Sequence, residues 1–177
     1  RCIRAIQQTL KAAVKKRIMS DRLPIGCFLS GGFDSSIVAA LLVEQLNNPK
    51  DLHTFSIGMK GGTDLKFAKE VAEHLGTTHH EVVVTEKEML DALPHALQSM
   101  ETFDTTTVRA GTGMWLLSQW IAKHSDVRVI FSGEGADEFF GGYSRVQKSP
   151  FDFHLKEFFN PKFSEENFYD FFLDRYK

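Results

Sequence analysis

The chain carries only two cysteines in 177 residues, Cys2 and Cys27, too few for a disulfide framework. Cys27 falls inside the apolar run Ile25-Gly26-Cys27-Phe28-Leu29, where a thiol acts as a small core residue and suits a reducing compartment. There is no surplus of basic charge. Lys and Arg number 21 against 23 Asp and Glu, a net charge of -2, which removes the usual footing for a nucleic-acid partner. The single basic cluster, Lys11 with Lys15, Lys16 and Arg17, lies on a helical pattern and reads as a solvated face. No apolar run approaches a membrane span, and the first residues lack the order of a signal peptide. The expectation is a cytoplasmic protein with no nucleic acid and no membrane partner. What is present, 42% apolar and 25% charged residues, is the make-up of one ordinary globular α/β domain with a real core.

Periodicity divides the chain into alternating elements. Ile3, Ile6, Leu10, Val14 and Ile18 recur at three- and four-residue spacings and predict an amphipathic helix to about residue 19, broken by Ser20-Asp21-Arg22-Leu23-Pro24. A strand at 25–29 precedes a glycine loop and a helix to about Leu46, ended by Asn47-Asn48-Pro49. Leu52–Ile57 reads as a second strand stopped at Gly58. Asp64 is expected to cap a helix through Leu75, closed by Gly76 in a left-handed conformation. His79–Val84 reads as a third strand, and Thr85 with Glu88 has the spacing of a capping box on a stretch to Met100. Pro94 predicts a kink or two short helices there. A polar segment, 101–111, then leads to a helix from about Thr112 to His124, with Trp115, Trp120, Leu116, Leu117 and Ile121 as packing residues. Val127–Phe131 is the fourth strand. Strands separated by helices predict a parallel twisted sheet with helices on both faces and ligands beyond the strands' carboxyl ends.

Two loops concentrate the chemistry. Ser30-Gly31-Gly32-Phe33-Asp34-Ser35-Ser36 lies between a strand and a helix, where glycines, hydroxyls and unpaired N–H groups make an anion site. A plain turn with Ser35 or Asp34 as helix cap is the simpler reading. No lysine stands in the loop, so it is not a Walker-type loop. Asp34 beside phosphates makes sense with a divalent cation between them. The second loop, Ser132-Gly133-Glu134-Gly135-Ala136-Asp137-Glu138, follows the fourth strand and holds three acids. Asp34 and Asp137 could hold Mg²⁺, leaving Glu134 for proton transfer or for orienting a nucleophile. His79 and His80 are adjacent on a strand and point to opposite faces, which argues against a metal pair.

Ser-Gly-Gly-x-Asp-Ser resembles the pyrophosphate loop of the ATP pyrophosphatases. Together with Ser-Gly-Glu-Gly-x-Asp-Glu, the following Gly-Gly-Tyr, Asp64-Leu65-Lys66, Leu75-Gly76-Thr77, His79-His80 and Thr106-Thr107-x-Arg109-Ala110, the chain from about residue 8 to Pro150 resembles the asparagine synthetase family. That resemblance implies an adenine-nucleotide α-hydrolase-like fold. It also implies a ligase that uses ATP and Mg²⁺ to adenylate the side-chain carboxylate of aspartate, releases pyrophosphate and lets ammonia form asparagine. Carried over, Ser30, Gly31, Gly32, Asp34, Ser35 and Ser36 would cradle pyrophosphate. Leu29, Ile57 and the backbone of Ser132 and Gly133 would surround adenosine. Thr106, Thr107 and Arg109 would hold aspartate, the guanidinium gripping a carboxylate. Asp34 and Asp137 would bind Mg²⁺, and Glu134, with Arg109 beside the substrate, would serve catalysis.

Departures from the pattern bound the expectation. The family's glutamine-using members begin with a glutaminase domain whose N-terminal cysteine is the nucleophile, whereas this sequence opens with Arg1, so the glutaminase is expected to be separate or missing. Phe33 and Ala136 replace leucine and serine. Beyond Pro150 the resemblance fades into an aromatic-rich stretch, giving an expected division into a synthetase domain at 1–150 and an extension at 151–177, read as a fragment or split form. Three other readings stay open: a β-lactam synthetase-like enzyme on another acid, an adenylating enzyme of tRNA, and a non-catalytic ATP-binding remnant. Homo-oligomerisation is left open.

Overall fold

A computed structural model describes residues 2–18, 24–140 and 142. The expected break at Ser20–Leu23 and the whole aromatic extension lie outside the described residues. The chain divides into two compact units, Arg1–Glu134 and Gly135–Lys177.

Helix α1, Cys2–Arg17, buries its stripe only in its second half. Val14 is in the core with Leu10 and Ile18 packed beside it, whereas Ile3 and Ile6 are exposed. Lys15, Lys16 and Arg17 fall in its last turn, where cations complement the helix dipole. Lys15, Lys16 and Arg17 are exposed, as expected of a solvated face, and Lys11 forms a surface ion pair at 2.7 Å with Glu44, beyond the end of the next helix.

Strand β1, Ile25–Phe28, leads into helix α2, Phe33–Val43. This helix stops earlier than Leu46 because the last N–H groups tighten, Gln45 to Leu42 O at 2.9 Å and Leu46 to Val43 O at 3.2 Å. Strand β2, Leu52–Met59, runs through Gly58 instead of stopping there. The ladder to strand β3, Thr78–Val84, continues with Gly58 opposite Val83 and Met59 opposite Val84, and the missing side chain leaves room for Leu65. Between them, helix α3, Thr63–Leu75, has Gly62 as its N-cap, so Asp64 sits in the first turn and not at the cap. At its other end Gly76 is left-handed (φ 73°), as the sequence predicts.

Helix α4, Glu86–Met100, begins with the expected capping box. The Glu88 N–H donates to Thr85 Oγ1 (3.2 Å), and the Thr85 N–H donates to Glu88 Oε2 (2.7 Å). Helix α4 runs on as one element through Pro94, so of the two expected outcomes the pair of short helices does not form. Leu90, Asp91, Pro94 and His95 form the exposed side of α4, so the Leu90 carbonyl deprived of a donor can be hydrated. Helix α5, Thr105–His124, starts at Thr105 and not at Thr112. Three consecutive threonines are poor helix formers, but Asp104 caps them, accepting from the Thr107 N–H at 2.8 Å. Strand β4, Val129–Phe131, is shorter than the expected run from Val127.

All pairings in the sheet are parallel, in the order β3-β2-β1-β4. Ile25, Cys27, Leu29 and Leu52 lie in one core cluster with Val14 of α1, Leu42 of α2, and Ala68 and Ala72 of α3. Phe55, Val82 and Val84 lie in the other with Met89 of α4 and Leu117 and Ile121 of α5. Helices therefore cover both faces. Strands β1 to β3 are laid in one direction, and the chain returns to the other side of β1 for β4. The strand order reverses between β1 and β4, and it is there, past the carboxyl ends of parallel strands, that such folds bind ligands.

In the second unit, helix α6 spans Ala136–Phe140. The Gly142 N–H donates to the Asp137 carbonyl at 3.1 Å.

Candidate functional site

Both glycine loops emerge at the reversal point, the first directly after β1 and the second directly after β4. In the first, three serines organise the backbone. The Gly32 N–H donates to Ser30 Oγ (3.2 Å), Ser30 Oγ meets Ser35 Oγ (3.0 Å), and Ser35 Oγ and Ser36 Oγ both donate to the Gly32 carbonyl (3.2 and 2.7 Å). Since Ser35 gives its hydrogen to Gly32, Ser30 is the donor between the two hydroxyls. Gly31 has φ +78°, and a Cβ there would stand 2.4 Å from the Phe67 carbonyl carbon and 2.6 Å from Ala68 N. Glycine is therefore required twice over, for the left-handed turn and for the approach of α3.

The N-cap of α2 is Gly32, which offers no side chain, so neither Ser35 nor Asp34 caps the helix. The Phe33, Asp34 and Ser35 N–H groups have no acceptor among the described residues. An uncapped first turn with its dipole pointing outward suits an anion. Asp34 is half-buried in that same turn, and no basic group pairs with it among the described residues.

In the second loop the Glu134 N–H donates to Ser132 Oγ (3.1 Å), and Glu134 itself is exposed. Gly133 lies against the first loop: a Cβ on it would stand 2.8 Å from Ser35 N. The structure thus brings Ser30, Gly31, Gly32, Asp34, Ser35, Ser36, Ser132, Gly133 and Glu134 together. Leu29 is fully buried in the core with its N–H on the Phe55 carbonyl (2.8 Å), so only its backbone is left for a nucleotide. Ile57 is half-buried against the second core cluster, under α5 near Gly113.

Thr106, Thr107 and Arg109 are exposed in the first turns of α5. Among the described residues, no hydrogen bond or ion pair joins them to Ser30–Ser36 or to Ser132–Glu134. Sequence reading passed over Asp104, which accepts from both the Thr107 N–H and Thr107 Oγ1, each at 2.8 Å. The N–H of Thr107, then its hydroxyl, holds the Asp104 carboxyl below its ordinary range. An acid three residues before Thr107 has capping spacing and was the available signal. Asp137 belongs to the second unit, half-buried in α6.

The two adjacent histidines face opposite ways, as alternation on a strand requires. His79 has Nδ1 on Thr54 Oγ1 (2.9 Å) and Nε2 on Ser56 Oγ (3.1 Å), and burial, ahead of its neighbouring charges, lowers its pKa. His80 stacks on Phe55 at 4.9 Å and meets His53 Nδ1 at 3.0 Å. Among the described residues no three His, Cys, Asp or Glu side chains gather to hold a metal, and no helix is long and apolar enough to cross a membrane.

Comparison with solved structures defines the class first. The NH3-dependent NAD synthetase from Campylobacter jejuni matches with a TM-score of 0.53 at 16% identity, over 79% of this chain and 60% of that one. The glutamine-dependent NAD+ synthetase from Acinetobacter baumannii, solved with ADP, matches with a TM-score of 0.55 at 17% identity, over 76% and 26%. The fold is the adenine-nucleotide α-hydrolase-like one. The asparagine synthase family model covers residues 5–170, and the chain belongs to that family. It is 51% identical over 141 residues to human asparagine synthetase [glutamine-hydrolyzing], and 46% identical over 160 residues to asparagine synthetase [glutamine-hydrolyzing] 2 of Oryza sativa. These matches take in 78% and 86% of this chain but only 25% and 26% of the relatives, so the chain spans about a quarter of their length.

Proposed function

We propose that this chain carries the ATP-binding and adenylating site of an asparagine-forming ligase. The observation that carries the reading is the uncapped first turn of α2 behind a serine-braced glycine loop, set at the strand-order reversal and touched by the second loop. Family membership supplies the reaction class. The N–H groups of Phe33, Asp34 and Ser35, with the hydroxyls of Ser30, Ser35 and Ser36, would hold the phosphates that leave as pyrophosphate. Leu29, Ile57, Ser132 and Gly133 would line the adenosine end. Donors fixed before the reaction stabilise the charge that develops on the leaving group.

Asp34 suits Mg²⁺ by the chemistry of its donor set, a carboxylate beside an anion site with no basic partner among the described residues. Asp137 is the second candidate ligand. Mg²⁺ bound there would neutralise phosphate charge. Thr106, Thr107 and Arg109 would orient aspartate so that its side-chain carboxylate meets the α-phosphorus, giving β-aspartyl-AMP. Glu134, exposed next to the loop contact, would accept the proton ammonia loses as the amide forms.

Aspartate- and Mg²⁺-dependent exchange of pyrophosphate into ATP tests the reading. Exchange is expected, and it should collapse in Asp34→Ala and in Asp137→Ala. Exchange surviving in both variants rejects the site assignment. ATP binding with no exchange would leave a nucleotide-binding domain without the adenylation step.

A further inference from the structure

Two bare-backbone contacts grip the anion loop. On one side Gly31 lies on the Phe67–Ala68 backbone of α3, and on the other Gly133 lies on the backbone of Asp34 and Ser35. The second contact has a readable direction. A Cβ on Gly133 would be 2.8 Å from Ser35 N, 2.9 Å from Asp34 C and 3.1 Å from Ser35 Cα. An atom approaching along the N–H would stand about 3.7 Å from both carbons by ordinary peptide geometry. Near-equal distances to all three atoms put Gly133 over the flat face of the Asp34–Ser35 peptide. The N–H edge is left clear for an incoming oxygen.

We propose, resting on the functional reading above, that Gly133 is a positioning residue that sets the gap between the two loops. Its Cβ position falls on the peptide whose N–H would serve the phosphates, and it is covalently next to Glu134. Any side chain at 133 must lift the second loop by several tenths of an ångström or tilt the Ser35 peptide, because the atoms it meets are backbone and cannot swing away. Either response misplaces the Ser35 N–H relative to a bound phosphate, and geometry of that order matters to charge-stabilising donors. Gly31 cannot be tested as cleanly, because its φ of +78° would strain any replacement whatever the space.

The test uses the full chain and inorganic pyrophosphate as probe, with binding followed by calorimetry and stability by thermal melting. Gly133→Ala should weaken pyrophosphate binding at least tenfold. The double variant Pro94→Ala/Gly133→Ala regains helix stability at a site on α4 outside both loops, and it should bind as poorly as the single variant. Binding within twofold of the parent chain in a double variant that melts no lower than the parent overturns the proposal. Failure of the parent chain itself to bind pyrophosphate would instead count against the functional reading. The positioning claim is then decided by amide NMR: Asp34 and Ser35 signals displaced in Gly133→Ala support the loop contact, and unmoved signals refute it.

Discussion

Thr107 gives both its N–H and its hydroxyl hydrogen to the Asp104 carboxylate at 2.8 Å. Its hydroxyl oxygen is left with acceptor capacity alone, and Arg109 stands half a turn further along the same helix. If Thr106, Thr107 and Arg109 hold aspartate, Asp104 governs how Thr107 presents itself. Asp104→Asn keeps an adequate cap but removes the charge, whereas Asp104→Ala removes both. Both should raise the KM for aspartate in the exchange assay, Ala by about tenfold or more and Asn by less, with the KM for ATP unchanged. Unaltered aspartate KM in both variants would remove this turn of α5 from the substrate site.

Much of this framework was legible. Amphipathic spacing, β-branched runs and the Thr85–Glu88 box specify elements within a few residues, and Gly76 marks the end of α3. Three of the misses share a cause: Pro94, Gly58 and the threonines of 105–107 are locally unfavourable, but an exposed helix face, a continuing ladder with β3 and an Asp104 cap let the element run through them. For the site, the serine–glycine loop declares itself. Its contacts with Phe67 and Gly133 do not, because they join segments distant in sequence and depend on the absence of a side chain.

Burial predicts an inert thiol at Cys27. Its side chain is fully buried beneath α1 and α2, and desolvation pushes its pKa up to about 12. Thiols react as thiolates, so in a Cys2→Ser background an aromatic disulfide reagent at about pH 8 should leave the native protein unlabelled and label it fully in urea. Labelling of the native protein faster than global unfolding would mean that β1 opens locally.

Stability should fall on mild acidification. His79 and His80 have pKa values below the ordinary 6.5, each chiefly through burial and His80 secondarily through His53. Below pH 6.5 the unfolded chain takes up protons that the folded chain resists, so stability is full above that value and is lost as pH falls through the lowered pKa. The depressed carboxyls of Asp104 and Glu88 add a second loss, which begins only below their ordinary values of 3.8 and 4.5. Urea midpoints should therefore drop between about pH 7.5 and about pH 5.5. His79→Gln, which keeps polar atoms near Thr54 and Ser56 without titrating, should flatten that drop. An equal drop in His79→Gln would assign the effect to other histidines.

The box at the start of α4 offers a test free of function. Thr85→Ala removes the acceptor of the Glu88 N–H and the N-cap side chain at once, at a cost of about 1 kcal/mol in unfolding free energy. Exchange activity should be unchanged, since α4 lies outside both loops.

Asp34 is the most exacting prediction, because its two candidate roles separate by measurement. As a structural residue it would act through α2, where a carboxylate in the first turn favours the helix dipole modestly. Asp34→Asn would then lower the melting temperature slightly and leave the Mg²⁺ requirement alone. As a metal ligand its charge has the opposite standing: it repels phosphate until a cation intervenes. The Asn variant should then keep its fold, need at least tenfold more Mg²⁺ for half-maximal exchange, and bind metal-free pyrophosphate no worse than the parent chain, or better. A melting shift with an unmoved Mg²⁺ requirement would return Asp34 to the helix and leave the cation to other groups.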